Sequence, residues 1–297
     1  MDSENNKKIY LCANKDNQEN YKKFLDDLKK DYSIIDINNE LPQEKSYILI
    51  IGGDGTLNYC INNLNFEFEH NVIYIPAGTA NDFAKSLNID DSKLKPMLFN
   101  KDLFYEVISR ANCVKVPVLK CNEKYILNVV SAGLAAQITD SEDSPFKKVA
   151  GEFSYYINAL EKLFNPETFD FKVQCDGEKE YKIESYGFTI SQGIYAGGGV
   201  KTAPVSIPFF NDKFLFVSMD SSDLVTYIKA LKNFVDPKVT MHEIKSGFDE
   251  IIINECEELK ITSEKEIPLK LDGEELKSKS VLIKKTNNFL NFYQYNL

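Results

Sequence analysis

The chain has 297 residues, of which 43% are apolar and 12% aromatic, enough for a packed core in one large domain or two ordinary ones. Its formal net charge is −10, from 35 basic and 45 acidic residues, which argues against nucleic acid as a partner. The polar N-terminus MDSENNKKIYLC does not resemble a signal peptide, and no run approaches the roughly 18 apolar residues of a membrane span.

The cysteines and histidines predict neither a disulfide framework nor a zinc site. The sequence contains no cluster of metal ligands, and its only histidines are His70 and His242, so a zinc site is not expected. The cysteines show no paired spacing, so we expect reduced thiols in a cytoplasmic protein. The six are Cys12, Cys60, Cys113, Cys121, Cys175 and Cys256.

Strands and helices are predicted to alternate along the N-terminal third. Residues 7–12 (KKIYLC) and 32–37 (YSIIDI) are typical of strands, and residues 19–30 carry apolar side chains at helical spacing. Two more apolar runs follow, at 47–51 (YILII) and 72–76 (VIYIP). This alternation indicates an α/β domain with a parallel sheet and covering helices.

Glycine-containing turns follow the last two of these strands. GGDGTLN (52–58) comes directly after one strand and PAGTAND (76–82) closes the next, each leading into a predicted helix. Glycine permits a tight turn, and a helix N-terminus directs backbone N–H groups at an anion. Because ligands in open α/β sheets lie at the carboxyl ends of strands, a shared phosphate site is predicted. The alternative is structural: relief of backbone strain, or helix capping by Asn81 or Asp82.

The pattern changes near residue 113. Short β-rich runs dominate from there to residue 285, with a hairpin signature around the Asp-Gly pair at 176–177 and helices at 152–164 and 224–234. This half predicts an antiparallel β-sandwich or open barrel. The expected domains are therefore 1–112, which the tail 286–297 could rejoin, and 113–285.

The order of short motifs is more specific than any one of them. The chain runs through GGDGTLN (52–58), PAGTANDFAKSL (76–87), NVVSAGLAA (128–136), AGGG (196–199) and LKLDGEEL (269–276). It resembles the diacylglycerol-kinase catalytic family, whose bacterial members are soluble lipid kinases related to sphingosine kinases and, more distantly, to NAD kinases. GGDGT is shared with NAD kinases, whereas GTANDFA is the signature of the lipid kinases.

The resemblance implies roles for particular residues. Glu274 is similar to the family's proton acceptor, and Asp272 would be a co-base or a metal-facing group. Asp54 would position Mg²⁺ or the acceptor hydroxyl, while Asp272 and Asp54 remain alternative bases. The backbone of Gly53, Gly55 and Thr56 would hold the phosphates of ATP. The residues implied for the whole ATP site are Gly52, Gly53, Asp54, Gly55, Thr56, Leu57, Asn58, Thr79, Asn81 and Asp82.

A structural Mg²⁺ is also implied by the family. By position, Asp212 with the backbone carbonyls of Phe209 and Phe214 would hold it, although a polar hairpin turn is the alternative. The DGE triplet occurs twice, and the copy at 176–178 is predicted to be a hairpin turn. The later copy follows an apolar run, which favours it as the site.

Two places depart from the family pattern. Residues 13–17 (ANKDN) contain no glycine where relatives have a glycine-containing phosphate loop, and the link between residues 37 and 47 is too short for the relatives' helix with its nucleotide-contacting Thr. The ATP site is therefore expected to be trimmed on one side. Weaker nucleotide affinity or a different nucleotide preference would follow.

The resemblance implies transfer of the γ-phosphate of ATP to a lipid hydroxyl, with diacylglycerol as the first candidate. Residues 144–164, with Lys147 and Lys148 beside Phe146, suit a membrane interface, although an ordinary packed helix is the alternative. A cytoplasmic protein peripheral to the inner face of the membrane, and a homodimer by analogy, are expected. The alternatives are an NAD kinase-like enzyme, a kinase for another lipid alcohol, and a silent nucleotide- or lipid-binding regulator.

Overall fold

The computed structural model describes residues 8–89, 91–136, 167–197, 199–201, 213–220, 223–235 and 246–294. Two expectations lie outside the described residues: the interface helix at 144–164, and the metal ligands Phe209 and Asp212. The chain divides into two compact units, Met1–Val118 with Thr286–Leu297, and Leu119–Lys285. Among the described residues, no helix is long and apolar enough to cross a membrane.

The first unit is an α/β structure. Its elements are β1 (Lys8–Ala13), α1 (Lys15–Asn20), α2 (Lys22–Leu28), β2 (Ser33–Asp36), β3 (Tyr47–Gly52), α3 (Asp54–Asn63), β4 (His70–Pro76), α4 (Asp82–Ser86), α5 (Asp91–Leu94), a 3₁₀ turn (Lys95–Phe99), α6 (Lys101–Arg110), the start of β5 (Asn112–Cys121) and the end of β16 (Glu274–Gln294). The strands lie side by side in the order β2, β1, β3, β4 and the end of β16. Every neighbouring pair is parallel, which confirms the predicted sheet.

The centre of this sheet is buried, as expected for a parallel sheet covered on both faces. In β3, Ile48 through Ile51 have no exposed surface. On the far side of β4, the end of β16 adds a strand, with Leu290 opposite His70 and Phe292 opposite Val72. The Phe292 ring packs against Phe83 of α4, with centroids 4.9 Å apart. The last strand therefore completes the core of the first unit.

The second unit is antiparallel. Its further elements are β6 (Lys124–Ile126), β7 (Val129–Gly133), β8 (Phe169–Cys175), β9 (Tyr181–Ser185), β10 (Gly187–Ser191), β11 (Tyr195–Ala196), β12 (Val200–Lys201), β13 (Phe214–Met219), α7 (Leu224–Val235), β14 (Ile251–Cys256) and β15 (Glu258–Leu271). The main sheet follows the order β14-β13-β10-β7-β15-β16. In addition, β8 pairs with β15, β9 pairs with β8, and β6 pairs with β5.

Three hairpin tips in this unit share one device. Asn122, Asp176 and Asp272 all have left-handed backbone conformations, with φ of 49°, 50° and 49°. Each side chain accepts hydrogen bonds from backbone N–H groups of another segment: Asn122 from Leu282, Asp176 from Glu257 and Glu258, and Asp272 from residues 127–129. Asn and Asp tolerate this conformation and can hydrogen-bond nearby backbone. Each tip is therefore fixed to the strand beside it.

The expectation of reduced cysteines is wrong for one pair. Cys175 and Cys256 form a disulfide with their Cα atoms 5.8 Å apart. They are 81 residues apart in the chain, so the local spacing of the cysteines does not predict the pair. Pairing of β8 with β15 places Cys175 opposite Leu259, close to the end of β14 where Cys256 lies. The free cysteines are Cys12, Cys60, Cys113 and Cys121.

Candidate active site

The two predicted glycine turns lie against each other in the first unit. Strands β3 and β4 end side by side, with Gly52 opposite Pro76, and the N–H of Ala77 donates to the carbonyl of Gly52 at 2.9 Å. A Cβ atom added at Gly78 would lie 2.5 Å from the Cα of Gly53. Because the obstacle is backbone, Gly78 has no room for a side chain, and a Cβ at Gly53 would be in tight contact, 3.0 Å from the Cα of Gly78. Glycine is required here by the contact between the turns.

The side chain of Asn81 holds the second turn through its backbone. Asn81 has φ of 51°, accepts a hydrogen bond from the N–H of Gly78 at 3.1 Å and donates to the carbonyl of Gly78 at 2.9 Å. In the first turn, the Thr56 side chain lies over Gly52, where an added Cβ would be only 2.3 Å from its Oγ1. Gly52 therefore has no room for a side chain.

Asp54 joins the first turn to the helix that follows the second. Its Oδ2 accepts a hydrogen bond from the N–H of Asp82 at 2.9 Å, and its Oδ1 accepts one from the N–H of Phe83 at 3.1 Å. These are the first N–H groups of α4, so Asp54 caps that helix from 28 residues away. Burial raises the pKa of Asp54, and the two N–H groups oppose the rise.

The N-terminus of α3 is open. Its cap is Gly53, and no side chain accepts a hydrogen bond there. Among the described residues, the N–H groups of Gly55 and Thr56 have no hydrogen-bond acceptor. A Cβ at Gly55 would meet nothing within 4 Å. By contrast, Asn14 caps α1 and Asn100 caps α6. A helix start whose N–H groups meet no capping side chain suits an anion.

The other residues implied for the ATP site are placed differently. Leu57 is buried, so only its backbone can face a ligand. Asn58 is half-buried, and its carbonyl accepts a hydrogen bond from Asn62 at 3.0 Å. Thr79 is exposed in the second turn, whereas Asp82 is buried with Lys85 Nζ 3.5 Å from its Oδ1.

A capped helix follows β1, at the place where the sequence lacks the glycine of the family's phosphate loop. The Oδ1 of Asn14 accepts a hydrogen bond from the N–H of Asn17 at 2.8 Å, and α1 starts at the next residue. Asn17 donates from its own Nδ2 to the carbonyl of Ile51 at 3.2 Å, which connects α1 to the end of β3. Asn14 was missed as a cap. Its signal is Asn immediately before a segment with an acidic residue in the first helical turn.

In the second unit, the late DGE motif holds two carboxylates in different surroundings. Asp272 accepts hydrogen bonds from the N–H groups of Leu127, Asn128 and Val129 at 2.7, 3.0 and 2.8 Å. Glu274, the first residue of β16, is exposed, and its carboxylate makes no hydrogen bond or ion pair within the described part of the chain. The carboxylate of Asp272 is therefore engaged by backbone N–H groups, whereas the side chain of Glu274 is exposed to solvent.

Asn128 is a residue that sequence reasoning missed. Its Nδ2 donates to the carbonyl of Tyr195 at 2.7 Å, and its own carbonyl accepts from the N–H groups of Gln192 and Gly193. Through Asn128, the NVVSAG motif is bonded to the segment leading into the AGGG motif. A buried amide inside the apolar run LNVV is the signal that could have identified it.

The residues near the α3 start fit a nucleotide-bound Mg²⁺. Kinases hold Mg²⁺ with one or two carboxylates together with the substrate phosphates. Each carboxylate oxygen of Asp54 accepts a hydrogen bond from one backbone N–H, and a carboxylate oxygen can accept a second partner. Of the implied structural metal site, the structure describes only Phe214, which is buried at the start of β13. Within the described residues, no three His, Cys, Asp or Glu side chains cluster as metal ligands.

Two family models match the chain. The Diacylglycerol kinase catalytic domain covers residues 4–115, and the YegS C-terminal NAD kinase beta sandwich-like domain covers residues 128–292. A protein of Staphylococcus epidermidis with a lipid-kinase name is 33% identical over 163 residues, which are 54% of this chain and 50% of the relative. A diacylglycerol kinase of Staphylococcus carnosus is 26% identical over 247 residues, 81% of this chain and 74% of the relative. The chain spans about half the length of the first of these relatives.

Solved structures show the same fold. A Bacillus anthracis protein with a diacylglycerol-kinase name superimposes with a TM-score of 0.67 at 21% identity, covering 100% of this chain and 99% of the other. An NAD kinase from Archaeoglobus fulgidus, solved in complex with ATP, gives 0.50 at 14% identity, covering 98% and 94%. The family models and the fold confirm the resemblance carried by the motifs. The chain therefore belongs to the diacylglycerol kinase catalytic-domain family, with a C-terminal domain of the NAD kinase β-sandwich type.

Proposed function

We propose that this protein is an ATP-dependent lipid kinase, which transfers the γ-phosphate to the hydroxyl of a lipid, with diacylglycerol as the first acceptor. The observation that carries the proposal is the open N-terminus of α3 beside two glycine turns in backbone contact. A helix start without a capping side chain offers N–H groups to phosphate oxygens. Family membership and the lipid-kinase names of relatives support the lipid as acceptor.

The proposed roles follow the surroundings of each residue. The N–H groups of Gly53, Gly55 and Thr56 bind phosphate, because no side chain of the described residues caps α3. Asp54 holds Mg²⁺, which spreads phosphate charge when bound. Asp54 also keeps the second turn in place through α4, so its loss would affect both ATP binding and local structure.

Glu274 is proposed as the group that takes the proton from the acceptor hydroxyl. A base needs an accessible carboxylate that is not already committed to other donors. Glu274 is exposed and its carboxylate has no hydrogen bond among the described residues, whereas the carboxylate of Asp272 accepts three backbone N–H groups. Asp54 likewise accepts two. Among the three candidate carboxylates, Glu274 fits the role best.

The cellular setting belongs to the same proposal. A lipid acceptor requires contact with a membrane, and we place the protein in the cytoplasm, peripheral to the inner face of the bilayer, with a homodimer as the expected assembly. The capped helix at residues 14–20 replaces the glycine loop of relatives, so we also expect weaker ATP binding or a changed nucleotide preference.

The test is phosphate transfer from radiolabelled ATP to a panel of acceptors: diacylglycerol, phosphatidylglycerol, a sphingoid base and NAD. Wild type is compared with Asp54→Asn, Glu274→Gln and Glu178→Gln. The last is a matched control, because Glu178 follows an Asp-Gly pair of similar backbone conformation in the same unit. We expect wild type and Glu178→Gln to label diacylglycerol. We expect Asp54→Asn and Glu274→Gln to lose most of this activity.

Other outcomes identify the alternatives. Labelling of NAD in place of lipid would support an NAD kinase-like activity, for which the fold shared with the Archaeoglobus enzyme is the supporting observation. Labelling of another lipid alone would keep the reaction and change the acceptor. ATP binding without labelling of any acceptor, with Glu274→Gln indistinguishable from wild type, would favour a silent regulator.

A further inference from the structure

In the second unit, the carboxylate of Asp272 accepts three backbone hydrogen bonds. Its Oδ1 accepts from the N–H groups of Asn128 and Val129, its Oδ2 from that of Leu127, and its own N–H donates to the carbonyl of Val129 at 3.0 Å. The N–H groups that meet it lie about 145 residues earlier in the chain. Hydrogen bonds to an ionised carboxylate are strong and hold it in one orientation.

These contacts continue into a third segment. Gln192 donates from Nε2 to the carbonyl of Leu127 at 3.0 Å, and Asn128 donates to the carbonyl of Tyr195 at 2.7 Å. Gln192 and Asn128 are both buried. The network therefore joins the β15–β16 tip, the start of β7 and the loop after β10, and it leads directly to the residue pair that precedes Glu274.

We infer that Asp272 is a positioning residue: through the N–H groups of residues 127–129 it fixes the tip from which Glu274 projects, and it does not itself take the substrate proton. The inference rests on the proposed function and assigns the two late carboxylates separate tasks. With φ of 49° and 96° at Asp272 and Gly273, the two-residue tip sets where β16 begins. A change in the tip therefore moves Glu274 directly.

The chain contains a matched control in Asp176. It has φ of 50°, is followed by Gly177 and Glu178, and accepts hydrogen bonds from the N–H groups of Glu257 and Glu258 at 2.8 Å each. Asp176 thus uses the same device at a tip without a proposed catalytic carboxylate. Replacing Asp176 by Asn tests the general cost of disturbing such a tip.

The experiment compares Asp272→Asn, Glu274→Gln and Asp176→Asn by steady-state kinetics, using the best acceptor of the panel. An amide offers only one oxygen to three donors, so Asp272→Asn is expected to displace the tip and lower kcat about 10- to 100-fold, with KM for ATP unchanged. The acid limb of its pH–rate profile should remain, since the base is still present. Glu274→Gln should lose that limb, and Asp176→Asn should keep wild-type kcat.

Amide hydrogen exchange supplies the second readout. Asp272→Asn should lose protection at residues 127–129 while protection in the first unit is unchanged. Should this variant fail to fold, Asn128→Ala, which removes the side-chain bond to the carbonyl of Tyr195, is expected to lower kcat severalfold with KM for ATP unchanged.

Each result decides between the assignments. Loss of the acid limb in Asp272→Asn, with Glu274→Gln retaining it, would make Asp272 the base and overturn the inference. Wild-type kcat in a folded Asp272→Asn protein would refute positioning and leave the proposed function intact. A wild-type protein that transfers phosphate to no acceptor would refute the proposed function, and with it the catalytic half of this inference.

Discussion

Replacing Gly78 or Gly55 by Ala should have opposite effects on stability. At Gly78 the new Cβ would lie 2.5 Å from the Cα of Gly53 and 3.0 Å from its N, so backbone must move. Overpacking of this kind costs about 1 to 3 kcal/mol. At Gly55 the Cβ meets nothing within 4 Å, and Ala in a helix gains about 0.5 to 1 kcal/mol over Gly. Urea unfolding of both variants measures the difference directly.

The same pair separates stability from nucleotide binding. The Cβ of Gly55→Ala would project into open space in the first turn of α3, the turn whose N–H groups we propose bind phosphate. A steric cost of about 1 to 3 kcal/mol weakens ATP binding about 5- to 150-fold. Calorimetric titration with ATP measures this effect in a protein at least as stable as wild type. Unchanged affinity in Gly55→Ala would refute the phosphate site, and unchanged stability in Gly78→Ala would refute the contact between turns.

Three further predictions concern the remaining elements. Asn14→Ala should cost about 1 kcal/mol in urea unfolding, because it removes the α1 cap, whereas Asn14→Asp should cost little. Burial lowers the pKa of His70, so on acidification the unfolded chain binds a proton at His70 before the folded chain does. The free energy of unfolding should therefore fall as the pH drops below about 6.5, and His70→Gln should not show this part of the loss. Under denaturing conditions without reductant, thiol titration should find four cysteines and, after reduction, six; six at the outset would contradict the disulfide.

Local patterns predicted the parts of the fold that depend on local chemistry. Gly52, Gly53 and Gly78 stand where strands end and turns begin, and their positions were readable because glycine and β-rich runs act over a few residues. The antiparallel second half was likewise visible. The lengths of the strands could not be predicted. Only short β-rich runs were expected in this half, whereas β15 extends over Glu258–Leu271 with a register shift between Thr262 and Ile267.

The features that the sequence did not reveal depend on distant partners. Cys175 meets Cys256 only because β8 pairs with β15. The side chain of Asp272 finds its donors at residues 127–129, and Asp54 finds its donors in α4. A sequence motif specifies the type of a residue, but it does not show which atoms of that residue are hydrogen-bonded to the rest of the fold. The division of tasks between Asp272 and Glu274 therefore became apparent only from the tertiary contacts.

The position of the last strand also constrains how the protein is made. Phe292 packs on Phe83 and pairs opposite Val72, so the sheet that begins with Lys8 is completed by residues near the end of the chain. On a translating ribosome, the first unit has to wait for nearly the whole second unit to be synthesised before β4 gains its neighbour. Until then, the side of β4 that Leu290 and Phe292 later cover is an unpaired edge, the kind of surface that chaperones protect in nascent chains.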